Sequence, residues 1–193
     1  MLKLLIKKIF KKLGFEIRNL NSVNLWKPLS EEEILRNFEG NGKIPWNEGY
    51  EKNKSNEIKR VLKDKILMNS FKNNERLNPM YGYGVDERIV EYPWLFSRIT
   101  KKYSNLLDAG SSLNHDCVIG SASNIAKKMH ILTLNHEKNC FIEKNISYIF
   151  EDIRNLPFRN GHYDLITCIS TLEHIGCDNE QYAPGKKENI TPK

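Results

Sequence analysis

Nothing in this sequence approaches the run of roughly 18 apolar residues that a transmembrane helix needs. The first ten residues are too broken by lysines to form the apolar core of a secretory signal. Cysteine is scarce. Cys117, Cys140, Cys168 and Cys177 are the four, none sits in a Cys-x-x-Cys pair, and no Cys/His spacing resembles a zinc site. Cys168 falls in an apolar run and reads as a small core residue. The expectation is a cytoplasmic, reduced protein with no disulfide framework and no metal. The G-x-G-x-x-G pattern of dinucleotide sites is also missing, which argues against a nicotinamide dehydrogenase. Internal repeats and low-complexity tracts are absent too.

The chain has 193 residues, 39% of them hydrophobic and 28% charged. That is an ordinary folded composition, with room for one real core plus an extension. The net charge is +6, but it is unevenly placed. Residues 1–18 hold Lys3, Lys7, Lys8, Lys11, Lys12 and Arg18 against Glu16 alone, so the remainder is close to neutral. The basic balance belongs to a terminal arm and gives no support for a basic groove across the domain, and no nucleic-acid partner is expected. In the same segment Leu2, Leu5, Ile6, Ile9, Phe10 and Leu13 recur at helical spacing opposite the lysines. Such a helix can lie on an anionic membrane surface through residues 1–13, at the inner membrane face. It can equally pack on the domain or on a partner with its lysines solvated.

Residues 19–102 read as an extension of helices and polar loops. Ser30 and Glu33 have the spacing of a capping box. Ile58, Val61, Leu62 and Ile66 mark one further amphipathic helix, and Ile44-Pro45-Trp46 with Gly49-Tyr50 an aromatic loop. Pro93 suits the first turn of a helix through Trp94, Leu95, Phe96 and Ile99. From residue 103 to 193 the pattern changes. Short apolar runs at Leu106-Leu107, Ile131–Leu134, Ile146–Phe150 and Leu165–Ile169 read as strands, with a helix over about Ser121–Met129. Strands alternating with helices predict an α/β, Rossmann-like, doubly wound parallel sheet with a helical N-terminal extension. Ligands of such sheets sit at the carboxyl ends of the strands.

The first of those ends is the sharpest local signal. Leu106-Leu107-Asp108-Ala109-Gly110-Ser111-Ser112 delivers a carboxylate into a tight turn of small residues. That suits a ligand with a charged amino-acid end and a ribose; it also suits a plain strand-to-helix turn. Three further motifs follow in order. They are Asn135 with Glu137 after the second strand, Glu151-Asp152-Ile153-Arg154-Asn155-Leu156-Pro157-Phe158 after the third, and Tyr163-Asp164 opening a fourth that runs to Leu172-Glu173-His174. Taken together, over roughly 70 residues, this series resembles the class I S-adenosylmethionine (AdoMet)-dependent methyltransferases. The basic amphipathic start, with the stretches Glu91–Arg98 and Ile169–Gly176, looks like the bacterial members associated with surface polysaccharides.

The resemblance implies methyl transfer from AdoMet to a small-molecule or glycan acceptor, such as a sugar precursor. It implies that Asp108, Gly110 and Ser112 line the methionine and ribose end, and that Asn135, or Glu137 in reserve, meets the ribose hydroxyls. Asp152 and Ile153 would take the adenine, Cys168 to Ser170 would floor the pocket, and His174 could act as a proton acceptor. Each polar residue could instead be only a cap or turn former. Ser112 stands where the family has a second glycine. The family's sheet continues for three more strands, whereas this chain stops at Lys193. The expectation is therefore a sheet truncated after its fourth strand, in a fragment whose exposed strand edge invites association. The competing reading is a non-catalytic remnant that binds membrane or a partner through its basic start.

Overall fold

The computed structural model describes residue 6, residues 10–13 and residues 28–177. Residue 6 and residues 10–12 are helical and residue 13 is a turn; the other residues of the expected basic helix and the polar tail lie outside the described residues. Helix α1 (Glu31–Gly40) opens on the capping box that the sequence predicts. The Ser30 hydroxyl accepts the Glu33 amide at 3.3 Å, and the Glu33 carboxylate accepts the Ser30 amide at 2.8 Å.

The single helix expected across Ile58–Ile66 is in fact two, α2 (Tyr50–Lys63) and α3 (Lys65–Asn73). Asp64 causes the break. It adopts an extended conformation, and its carboxylate accepts the amides of Ile66 and Leu67 at 2.9 and 3.1 Å, so it starts a new helix rather than continuing the old one. Ile66 is left 81% exposed. Pro93 is not in a first turn either. Helix α4 (Arg88–Arg98) begins five residues earlier and carries Pro93 inside it. A mid-helix proline strands the carbonyl four residues back. Here that carbonyl belongs to Ile89, and the Tyr81 hydroxyl donates to it at 2.7 Å.

The sheet contains β1 (Tyr103–Ala109), β2 (Ala126–Thr133), β3 (Ile146–Phe150) and β4 (Leu165–Thr167). All are parallel, in the order β3-β2-β1-β4. The fold is thus α/β and Rossmann-like, with helices at its N-terminal side. Between β1 and β2, helix α5 spans only Ile119–Ile125. Residues Ala126 to Met129, expected in that helix, belong to β2, where Ala126 pairs with Tyr103. Cross-strand pairing overrides their local preference. β4 is shorter than expected, because Cys168 and Ile169 have already left the ladder. Asp164 locks its start: its carboxylate accepts the amides of Ser104 and Asn105, both at 2.9 Å.

Side chains alternate across the sheet. Leu106, Met129, Ile131 and Ile146 join Ile58, Val61, Phe71, Ile89 and Tyr92 in one core, so the N-terminal helices and the sheet share it. Leu107, Ala109 and Leu132 face the other way, toward Ile149, Ile153, Leu156, Tyr163 and Cys168. Among the described residues β4 pairs on one side only, and its Ile166 is 58% exposed.

A cleft at the carboxyl ends of the strands

The loops that follow the four strands enclose a cleft of about 380 Å³. Of the eleven residues given a place in the pocket from the sequence, seven line it: Gly110, Asn135, Glu137, Asp152, Ile153, Ser170 and His174. Asp108 and Ser112 do not line it; they are buried beneath the first loop. Cys168 and Ile169, expected in its floor, pack against the cores on the two faces of the sheet instead.

Asp108 ends β1 fully enclosed. Its carboxylate accepts the Leu113 amide at 2.7 Å and the Thr167 hydroxyl at 3.1 Å. Desolvation pushes its pKa up to about 7, against the opposing pull of those two donors. Asp108 therefore positions the loop rather than facing a ligand. Gly110 turns that loop at φ +106, donates its amide to the Leu132 carbonyl at 2.9 Å, and lies so close to Thr171 that any Cβ would overlap its side chain. The Ser112 hydroxyl donates to the Ile169 carbonyl at 2.5 Å, and the Ser112 carbonyl accepts the buried Tyr92 hydroxyl at 2.6 Å. A serine in the place of a second glycine thus ties the turn to both the loop after β4 and α4.

The other walls are held more locally. The Asn135 side chain accepts the His136 amide at 2.8 Å, leaving its NH₂ group for the cleft. Asp152 accepts from the Arg154 amide at 2.8 Å and from its guanidinium at 2.5 to 3.0 Å. Those side-chain hydrogen bonds, more than anything else, hold its carboxyl below the usual range, so it is ionised. Ser170 sits at φ +47. Its hydroxyl donates to Glu91 at 2.9 Å and accepts from Arg88 at 3.1 Å. His174 ends a 3-10 turn, Leu172–His174, at the exposed rim.

Reading the sequence missed Arg88, Glu91 and Tyr92, which bring the N-terminal helices to the cleft, and Thr167, which partners Asp108. Thr167 did carry a signal: a hydroxyl in an apolar strand needs a buried partner, and the neighbouring strand supplies the carboxylate. Among the described residues no group of three or more His, Cys, Asp or Glu could hold a metal ion, and no helix is long and apolar enough to cross a membrane.

Comparison with known proteins returns one informative similarity. Over 112 residues, 49% of this chain, the sequence is 29% identical to the norajmaline N-methyltransferase of Rauvolfia serpentina. The chain has distant, partial homology to a plant N-methyltransferase. It spans about a third, 36%, of that enzyme's length. The four-stranded parallel sheet is consistent with a methyltransferase fold. No family model and no solved structure matches the chain.

The residues present suit AdoMet. That ligand is cationic at sulfur and at its amino group, and Glu137, Glu151 and Asp152 all line the cleft. An ionised Asp152 can accept from an adenine amino group, and Ile153 offers an apolar face beside it.

Proposed function

We propose that the cleft binds AdoMet and that the chain forms the cofactor-binding part of a methyltransferase. The observation that carries this reading is convergence. Seven of the residues that the resemblance picks out, from the loops after four parallel strands, meet around one cleft. In this reading the turn at Gly110 borders the methionine end, Asn135 and Glu137 meet the ribose hydroxyls, and Asp152 with Ile153 takes the adenine. Bound there, AdoMet supplies a methyl group on positively charged sulfur, ready for in-line transfer. Such a transfer needs alignment and exclusion of water more than a covalent catalyst. In the same reading His174, at the rim, accepts a proton from an incoming acceptor. The proposed acceptor is a small molecule, with a sugar or glycan precursor as the first class. Residues 1–13 are proposed to hold the protein at an anionic membrane surface.

Calorimetry with AdoMet and with NAD tests the cofactor. Saturable AdoMet binding that weakens in Asn135→Ala and Asp152→Ala is expected. NAD binding without AdoMet binding would overturn the proposal.

A further inference from the structure

A second cavity, of about 400 Å³, lies between α2, the turn into α4 and the loop after β1. Trp46, Lys54, Asp86, Arg88, His115 and Asp116 are among the residues that line it. Its most unusual feature is Trp46. The indole is 75% exposed, yet its backbone is held at φ +68, a left-handed conformation that a bulky residue adopts at a cost. Little burial offsets that cost. What the conformation achieves is a flat aromatic wall at the cavity, backed by the Tyr50 ring at 4.8 Å.

The polar groups around that wall fall into two sets. Lys54 is fixed: its ammonium lies 5.9 Å from the Trp46 ring centre and 5.1 Å from that of Tyr50, and bonds Glu51 and Asp86, each at 3.0 Å. Glu87, His115 and Asp116 make no side-chain hydrogen bond among the described residues. The cavity thus interleaves cationic donors with free acceptors beside an aromatic face. A ligand whose hydroxyls both donate and accept, and whose C–H face can lie on an indole, matches that arrangement. The lining holds four carboxylates, Glu51, Asp86, Glu87 and Asp116, against Lys54 and Arg88, so a small cation is the competing occupant that the test must separate from a sugar.

We propose that this second cavity binds a neutral, polyhydroxylated, sugar-like ligand, with Trp46 stacked on its C–H face and Asp116 and Glu87 accepting from its hydroxyls. The cavity adjoins the first cleft. Arg88, which lines the second, bonds Ser170, which lines the first, at 3.1 Å, and Glu91 braces both. That placement makes the ligand the acceptor of the proposed methyl transfer. This last step rests on the AdoMet reading; the binding itself does not.

Saturation-transfer NMR on the 193-residue chain tests it, using the methyl glycosides of glucose, galactose and mannose as probes and benzylamine as the cationic comparison. Transfer to the ring protons of at least one glycoside is expected, with or without AdoMet. Affinity should fall about tenfold in Trp46→Ala and measurably in Asp116→Asn, both exposed positions whose loss leaves the fold intact. It should persist in Asn135→Ala, which alters only the first cleft. No transfer to any glycoside, transfer unchanged by Trp46→Ala, or binding of benzylamine alone would overturn the proposal. Glycoside binding in a chain that does not bind AdoMet would uphold the sugar site while refuting its role as methyl acceptor.

Discussion

The two sides of the first cleft are built on different length scales. On the β1 and β4 side, beside the short Asp108–Leu113 bond, four restraints reach far along the chain. Tyr92 to Ser112 spans 20 positions, Ser112 to Ile169 57, Thr167 to Asp108 59, and Arg88 to Ser170 82. On the β2 and β3 side, Asn135 and Asp152 are held by neighbours one or two positions away. The first side is a buried knot that the whole fold must close. The second is a pair of exposed loops that fold can tolerate losing. Substitutions on the knotted side should therefore cost stability, and those on the local side should cost ligand affinity.

The largest effect is expected at Asp108. Asp108→Ala strands the buried Leu113 amide and Thr167 hydroxyl, and should lose about 2–4 kcal/mol in urea unfolding. Asp108→Asn, which can still accept from Leu113 and donate to Thr167, should lose much less. Equal losses in the two variants would break the comparison.

Asp108 also sets a pH dependence. Its pKa in the folded chain, about 7, lies above that of an unfolded aspartate, so the folded state keeps a proton that the unfolded state gives up. The stability tied to this group is fully present below about pH 4 and falls as pH rises toward 7. Urea midpoints measured across that window should decline, and in Asp108→Asn this component of the decline should vanish. An identical slope in both would show that other groups control it.

A smaller loss, about 1–2 kcal/mol, is expected for Tyr92→Phe, which removes the hydroxyl bonded to the Ser112 carbonyl. Smallest in stability is Asp152→Ala on the local side, within about 0.5 kcal/mol, since its ion pair with Arg154 is partly solvated. Its AdoMet affinity should nonetheless drop about tenfold, equivalent to about 1.4 kcal/mol. An Asp152→Ala chain that unfolds more readily than Tyr92→Phe would invert the comparison.

The same division explains what was legible in the sequence. Asn135, Glu137, Asp152 and Ile153 follow apolar strands directly, so a strand end and a polar residue locate them without any tertiary knowledge. The capping box at Ser30 and Glu33 is local in the same way. Asp108 was legible as important but not in its direction, because what turns it inward is Thr167 on a strand 59 positions later. Pro93 looked like a helix start because the group that rescues its stranded carbonyl, the Tyr81 hydroxyl, comes from the preceding loop. Asp64 sits in an apolar helical rhythm, and nothing in that rhythm shows that its side chain captures the next amides. Arg88 and Glu91 reach the cleft only because the extension folds back onto the sheet.

The most direct measurement of the central claim is hydrogen exchange of the 193-residue chain with and without AdoMet. The account predicts new protection at residues 110–113, 135–137, 151–154 and 170–175, with the larger gain on the two local loops, since the knotted side is already closed. Protection confined to other segments, or none at saturating AdoMet, would contradict the assignment of this cleft as the cofactor site.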